Sequence, residues 1–202
     1  MSLHADVANM KRVCVFAGSS AGVRVDYQDA ARGFGRALAE RGIGLVYGGA
    51  RVGLMGIIAD AVLAGDGEAI GVIPAALVAR EIAHEGLTEL RIVSSMHERK
   101  ALMADLSDAF VAVPGGWGTL EEFFEVLTWA QLGLHRKPCG LLNVLDYFDG
   151  LLSFLEHSVA EGFLKREYRS MIAVSASPAA LLEQLASLKP PAGEKWIDRA
   201  TT

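Results

Sequence analysis

Short apolar runs alternate with longer amphipathic segments along almost the whole chain. Seven runs of four or five mostly apolar residues predict strands: Arg12–Phe16, Ile43–Tyr47, Ala69–Ile73, Leu90–Val93, Ala109–Val113, Cys139–Leu142 and Ile172–Ser175. The segments between and after these runs, several with apolar residues three and four positions apart, predict helices: Asp26–Glu40, Ile57–Ala64, Ala75–Ala79, Ser95–Asp105, Leu120–Leu132, Phe148–Glu161, Lys165–Met171 and Pro178–Leu188.

This alternation of strands and helices predicts an α/β fold. The chain of 202 residues has the size of one ordinary domain, and no linker or internal repeat divides it. We therefore expect a single-domain, Rossmann-like, doubly wound parallel sheet flanked by helices, with loose termini at residues 1–10 and 189–202. In such a sheet the ligand lies at the carboxyl ends of the strands, near the switch in strand order.

The segment at residues 114–122, PGGWGTLEE, carries the strongest candidate chemistry. It joins a predicted strand to a predicted helix, and three of four successive residues are glycines, namely Gly115, Gly116 and Gly118. Glycine permits positive φ and a close approach of the backbone to a ligand. Free N–H groups at the start of a helix stabilise an anion. Such amides beside two glutamates suggest chemistry on a phosphorylated sugar.

Two common glycine motifs do not match this segment. A P-loop needs Gly-Lys-Ser/Thr, and no lysine follows Gly118. The dinucleotide fingerprint needs a glycine three residues after its second, where this chain has Glu121. One structural alternative stays open, because Thr119 and Glu122 have the spacing of a capping box. That interpretation would explain Glu122 without any catalysis.

Composition and charge restrict the class of protein further. Hydrophobic residues make up 51% of the chain, which provides for a large core, and the net charge is −5. That charge argues against broad binding to nucleic acid or to a membrane surface. The sequence shows neither a run of membrane-spanning length nor the pattern of a signal peptide. Cys14 and Cys139 lie in predicted strands, which favours buried free thiols, so we expect a cytoplasmic protein.

Small residues gather where other predicted strands end. Gly18 and Ser19 follow the first strand, and Gly48 and Gly49 follow the second. A small hydroxyl residue at such a position either ligates phosphate or ribose or only turns the chain, and the local sequence leaves both readings open.

Two cations lie in the first turns of the helix that begins near Ser95. Ser95 and Glu98 repeat the capping-box spacing, and Arg99 and Lys100 follow them. From there both cations can reach the same edge of the sheet, although a solvated helix face would also explain them. Cleavage of an N-glycosidic bond passes through an oxocarbenium-like sugar, which a carboxylate such as Glu122 stabilises while it activates water. An arginine such as Arg99 holds phosphate or assists the departing base.

Three segments together resemble one known family. PGGWGTLEE at 114–122 resembles the PGGxGTxxE signature of the Lonely-guy (LOG) phosphoribohydrolases, and Met96–Lys100 resembles the MHxRK segment of that family. Tyr47–Gly56 resembles its YGGG…GLMG stretch, with Ala50 in place of the third glycine. The resemblance extends from about Val13 to Ser175. Some relatives carry a lysine-decarboxylase label, but this sequence contains no lysine motif for pyridoxal phosphate.

The resemblance implies a homodimer that hydrolyses cytokinin riboside 5′-monophosphates, and in many relatives AMP, to the free base and ribose 5-phosphate. It places the catalytic arginine at Arg99 and the catalytic glutamate at Glu122, and we expect no cofactor and no metal. The substrate is then a small-molecule nucleotide, with no nucleic-acid or membrane partner. Resemblance and strand ends together give the candidate substrate contacts: Gly18, Ser19, Gly48, Gly49, Met55, Glu81, Lys100, Gly115, Gly116, Trp117, Gly118, Thr119, Leu120, Glu121 and Thr128.

Two alternative functions use the same fold. A general AMP or purine-nucleotide nucleosidase would need the same catalytic residues and would differ in the pocket for the N6-substituent. A non-catalytic nucleotide or cofactor carrier would not need Arg99 and Glu122 together. A metal hydrolase is disfavoured, because His97-Glu98 begins an HExxH pattern whose second histidine position holds Ala101.

Overall fold

Seven parallel strands form one sheet in the order β4-β3-β2-β1-β5-β6-β7. A computed structural model describes residues 10–78 and 83–188. The strands are β1 Arg12–Phe16, β2 Gly44–Tyr47, β3 Ala69–Pro74, β4 Glu89–Val93, β5 Ala109–Ala112, β6 Cys139–Leu142 and β7 Ile172–Ser175. Every predicted strand is present, and the apolar runs therefore identified the whole sheet.

Helices connect the strands and cover both faces of the sheet. They are α1 Val25–Glu40, α2 Gly53–Ala64, α3 Ala75–Val78, α4 Met96–Leu106, α5 Trp117–Gln131, α6 Asp149–Ala160, α7 Arg166–Arg169 and α8 Pro178–Ser187. A 3-10 turn at Val144–Asp146 precedes α6. Both α2 and α5 begin three or more residues earlier than predicted, at Gly53 and Trp117. Both first turns contain glycines, which have low helix propensity, so the sequence pattern assigned these turns to loops.

Successive residues of the central strands point to opposite faces of the sheet, which divides the core into two clusters. Val13 packs in the cluster that includes α1, α2 and α8, whereas Cys14 packs in the cluster that includes α4, α5 and α6. Phe123 is fully buried in the second cluster, where burial of such a side chain stabilises the fold by about 2 kcal/mol. It thereby fixes α5 on the sheet. The two clusters lie on one sheet, so the described residues form the single domain that was predicted.

The switch in strand order lies between β1 and β5. From β1 the sheet is built outward through β2, β3 and β4, and the chain then crosses back so that Phe110 of β5 pairs with Cys14 of β1. Just beyond the strands, the Gly18 N–H donates to the Pro114 carbonyl at 3.1 Å. The two loops that follow β1 and β5 are therefore in contact at the position where doubly wound folds bind ligands.

Several smaller expectations have clear outcomes. Met10 is buried, so the expected loose terminus is wrong at that residue; the rest of the expected loose termini lies outside the described residues. Cys14 and Cys139 are buried free thiols, as predicted. Gly42 ends α1 with a φ of 64°, which confirms it as the helix terminator. Among the described helices, none has the length and apolarity to cross a membrane.

Candidate active site

The turn between β5 and α5 presents free backbone donors. The helix begins at Trp117, and its N-cap is Gly116, which has no side chain to cap it. Within the part of the chain that the structure describes, the N–H groups of residues 116–119 have no hydrogen-bond acceptor. Trp117 is 91% exposed at this point, and the helix start is open. Four free donors at the positive end of a helix dipole provide an environment that favours an anion.

The capping-box alternative for Glu122 is wrong. With Gly116 as N-cap, Thr119 lies inside the first turn of α5 and Glu122 lies in the second turn. Thr119 is buried, and its side chain packs against Gly115, where an added Cβ would overlap the Thr119 hydroxyl and lie 2.8 Å from the Gly18 nitrogen. Gly115 is therefore required by close approach. The expected positive φ is absent from all three glycines of this turn.

Arg99 is buried at the adjacent edge of the sheet. It is 6% exposed, and its Nη2 donates to the Gly48 carbonyl at 3.3 Å. Its Nε has no hydrogen-bond partner among the described residues. A Cβ at Gly48 would overlap Nη2, which explains the glycine at that position. Arg99 therefore does not belong to a solvated helix face, and a buried cation with an unused donor indicates a binding role.

The start of α4 sets the position of Arg99. The Ser95 hydroxyl accepts a hydrogen bond from the Glu98 N–H at 3.1 Å, as the predicted capping box requires. The Glu98 carboxylate, however, accepts from the Ser94 N–H at 2.7 Å and not from Ser95. These bonds satisfy backbone groups at the start of the helix. The Ser94 hydroxyl, followed by the Ser94 N–H, donates to the Glu98 carboxylate and keeps the pKa of Glu98 below its usual value. Arg99 leaves this fixed first turn toward the core.

Glu122 is half-buried on α5, and its environment favours the protonated form. Burial raises its pKa most strongly, the Arg99 guanidinium opposes this effect and the Glu121 carboxylate adds to it, and together they bring the pKa to about 7. Burial raises the pKa of the Cys14 thiol, the charge of Glu122 raises it further, and the charge of Arg99 lowers it. Both charged groups therefore lie near Cys14 of β1. A carboxyl group with a pKa near neutrality exchanges protons readily at physiological pH. This property is typical of a general acid or base.

Lys100 joins α4 to α5 through two glutamates. Its Nζ lies 2.7 Å from Glu121 Oε1 and 3.0 Å from Glu125 Oε1. Burial alone would lower the pKa of Lys100, but the hydrogen bonds to both glutamates raise it above its ordinary value. The ammonium partly neutralises the carboxylates beside Glu122. Glu125 was not predicted; its position four residues after Glu121, on the same face of α5, was the available signal.

Comparison with known proteins identifies the family. A sequence profile described as "Possible lysine decarboxylase" matches residues 55–185. Cytokinin riboside 5′-monophosphate phosphoribohydrolase LOG1 of Arabidopsis thaliana is 52% identical over 183 residues, which are 91% of this chain and 86% of that protein. The phosphoribohydrolase LOG of Oryza sativa subsp. japonica is 48% identical over 194 residues, 95% of this chain and 80% of that protein. The chain belongs to the LOG family.

Solved structures confirm the fold of this LOG-family chain. The molybdenum cofactor carrier protein of Chlamydomonas reinhardtii has a TM-score of 0.67 at 22% identity, covering 88% of this chain and 99% of that one. The molybdenum cofactor binding protein of Rippkaea orientalis has a TM-score of 0.66 at 21% identity, covering 88% and 96%. At such identity the likeness concerns the Rossmann-type architecture alone.

The structure brings most predicted contacts of the LOG-family site to one edge of the sheet. Gly18 and Ser19 end β1, and the Ser19 backbone lies directly against Gly53 at the start of α2. Gly48 and Gly49 end β2 beside Arg99, and the segment from Gly115 to Glu121 follows β5. Met55 packs against the core near Gly48. Their roles as substrate contacts remain predictions.

Two predicted contacts are not placed at this edge by the described structure. Thr128 lies further along α5, where its hydroxyl donates to the Phe124 carbonyl at 2.8 Å and its side chain lines an apolar groove with Leu155 and Tyr168. Glu81 lies outside the described residues. Ala50, the departure from the family glycine, is buried without positive φ, so an alanine fits there.

A separate cavity of about 520 Å³ lies between α1 and α2. Its lining includes Arg32, Arg36, Glu40 and Asp60, and none of the glycines of the strand ends. It contains neither Arg99 nor Glu122. The residues of the candidate active site therefore lie at the edge of the sheet and not in this cavity.

Proposed function

We propose that this protein hydrolyses the N-glycosidic bond of cytokinin riboside 5′-monophosphates, and of AMP, to the free base and ribose 5-phosphate. One observation carries the proposal: a carboxyl group with a pKa of about 7 and a buried arginine lie beside the free amides that start α5. The relatives at about half identity, named as phosphoribohydrolases for these nucleotides, support it.

On this proposal each group has a role. The amides at the start of α5 hold the 5′-phosphate, which places the ribose near Glu122. As the C1′–N9 bond breaks, the ionised Glu122 stabilises the positive charge on the sugar and takes a proton from the attacking water. The water oxygen bonds to C1′, and the bonding pair leaves with the base. The base takes up one proton, equal to the one that water lost to Glu122, and release of that proton restores the carboxylate. Arg99 remains charged and donates to the phosphate or to the departing base.

Product analysis tests this function. Purified protein should convert isopentenyladenosine monophosphate to isopentenyladenine and ribose 5-phosphate, and the corresponding nucleoside should react poorly because it lacks the phosphate. Chromatography of both products measures the reaction. Equal rates on nucleotide and nucleoside would contradict the role of the glycine turn in phosphate binding.

The same assay separates the alternatives. A preference for AMP over its N6-substituted analogues would identify a general nucleotide nucleosidase. Binding of either nucleotide without release of base would identify a carrier. Both alternatives use the same site. The nucleosidase would differ in the pocket for the N6-substituent, and the carrier would make no catalytic use of Glu122.

We also propose a cytoplasmic homodimer. Buried free thiols suit a reducing compartment, and an apolar groove on the α5, α6 and α7 side offers a contact surface for a second copy. Phe154 and Phe163 are 62% and 90% exposed on this part of the molecule. Such large exposed apolar side chains are typical of interfaces.

Light scattering should give the mass of a dimer at micromolar concentration. Phe163→Glu should shift the equilibrium toward monomer, because a carboxylate in an apolar contact costs desolvation energy. A monomeric mass for the wild-type protein would contradict the dimer.

A further inference from the structure

A strained turn after β6 brings one tyrosine against the glycine turn. Leu145 and Asp146 have φ values of 51° and 57°, a left-handed conformation that leucine rarely adopts. Both residues lie in the 3-10 turn that follows β6, and Tyr147 comes directly after them, beyond the carboxyl end of that strand. Backbone strain of this sort is retained where the surrounding structure enforces it, often beside a functional site.

Tyr147 is fixed by contacts on its ring and on its hydroxyl. The hydroxyl donates to the Gly115 carbonyl at 2.7 Å. The ring packs edge-to-face with Tyr27 of α1 and with Phe148, at centroid distances of 5.7 and 5.0 Å. Phe148 is itself buried, and its N–H donates to Asn143 Oδ1 at 2.7 Å. Although Tyr147 is 44% exposed, its two ring contacts and its hydrogen bond together direct the hydroxyl toward the Gly115 carbonyl.

The hydrogen bond from Tyr147 determines how the Gly115–Gly116 peptide is oriented. No cis peptide occurs in the described chain, so this peptide is planar and trans, and its carbonyl and N–H point in opposite directions. A carbonyl held by Tyr147 turns the Gly116 N–H to the other side. There the N–H has no acceptor among the residues described, and space is open around Gly116.

We infer that Tyr147 is a positioning residue, which holds the Gly115 carbonyl so that the Gly116 N–H stays available to the 5′-phosphate of the substrate. This inference rests on the proposed function. Without the hydroxyl, glycines on both sides let the peptide rotate, because neither has a Cβ to restrict φ and ψ. The carbonyl oxygen would then face the phosphate for part of the time and repel it.

Tyr147→Phe tests the inference, because it removes the hydroxyl and keeps the ring between Tyr27 and Phe148. We expect the KM for isopentenyladenosine monophosphate to rise about 5- to 10-fold, the usual effect of one lost hydrogen bond, with kcat close to wild type. Calorimetry should show the Kd of ribose 5-phosphate rising by the same factor. The Kd of adenine, which has no phosphate, should not change.

Tyr27→Phe is the matched control, since no hydrogen bond of its hydroxyl is found in the described structure, and it should behave as wild type. An unchanged KM and an unchanged Kd for ribose 5-phosphate in folded Tyr147→Phe would overturn the inference. Equal weakening of adenine and ribose 5-phosphate would also overturn it, because that pattern indicates general disorder. If wild type binds ribose 5-phosphate and hydrolyses no nucleotide, the proposed function fails, and the Kd comparison still decides the role of Tyr147.

Discussion

Glu122→Gln should abolish turnover and at the same time stabilise the protein at alkaline pH. A neutral amide neither stabilises an oxocarbenium ion nor takes a proton from water, so we expect kcat to fall by about 10³-fold. Glutamine has the shape of glutamate, so nucleotide binding should persist. The rate of base release measures the loss of turnover, and calorimetry with the nucleotide measures binding.

The gain in stability follows from the raised pKa of Glu122. The folded protein holds this proton up to a pH of about 7, whereas the unfolded chain releases it near the ordinary value of 4.5. The folded state thus binds more protons between these values, and wild-type stability falls as the pH rises through this window. Above pH 7 the full cost of ionising the buried carboxyl applies. A shift from 4.5 to about 7 at ~1.4 kcal/mol per pKa unit means that Glu122→Gln should raise the free energy of unfolding at pH 8 by about 3 kcal/mol.

Denaturant titrations of both proteins at pH 5 and pH 8 measure this difference. Glu183→Gln, on the exposed side of α8, is the control for loss of a carboxylate and should change neither activity nor stability. Full turnover in folded Glu122→Gln would show that another acid performs the reaction. Equal stability of wild type and variant at pH 8 would show that the carboxylate is not desolvated.

Local patterns predicted the sheet because most strands are runs of apolar residues buried on both faces, although the edge strand β4 is only partly buried. They also predicted which residues end each strand, and parallel strands bring those ends to one edge. Gly18, Gly48 and Gly115 could therefore be assigned to one site without knowledge of their contacts. The strand order itself, with β1 beside β5, depends on tertiary packing.

The remaining features of the site depend on contacts between segments distant in sequence. Arg99 resembled an exposed helix residue, because nothing in its own segment shows that it lies against Gly48, 51 residues earlier. The capping-box spacing of Thr119 and Glu122 was misleading, because α5 begins at Trp117 and its first turn contains a glycine that the pattern assigned to a loop. Tyr147 reaches Gly115 only because β6 lies beside β5.

Arg99→Met should reduce turnover by about 10²-fold or more and shift the pH dependence of the remaining activity. Methionine retains most of the buried stem but removes the cation and the bond to the Gly48 carbonyl. The guanidinium lowers the pKa of Glu122. Without it that pKa should rise above about 7, because an opposite charge no longer favours the ionised form.

The sign of the shift follows from the role of Glu122 as a base. Only the ionised carboxylate accepts a proton, so kcat should increase with pH and level off above the pKa of Glu122. In Arg99→Met the rising limb should lie at higher pH than in wild type, and raising the pH should recover part of the lost rate. Initial rates between pH 5 and 9 with saturating nucleotide measure both quantities.

Arg36→Ala provides the control, because Arg36 is exposed on α1 away from Gly48 and Glu122. It should retain the wild-type rate and the wild-type dependence of kcat on pH. A rate loss in Arg99→Met without any shift of the limb would show that Arg99 binds substrate but does not influence Glu122. Wild-type turnover would show that the buried cation has no catalytic part, and the unused Nε donor would then need another explanation, since an unsatisfied buried donor costs about 1–3 kcal/mol.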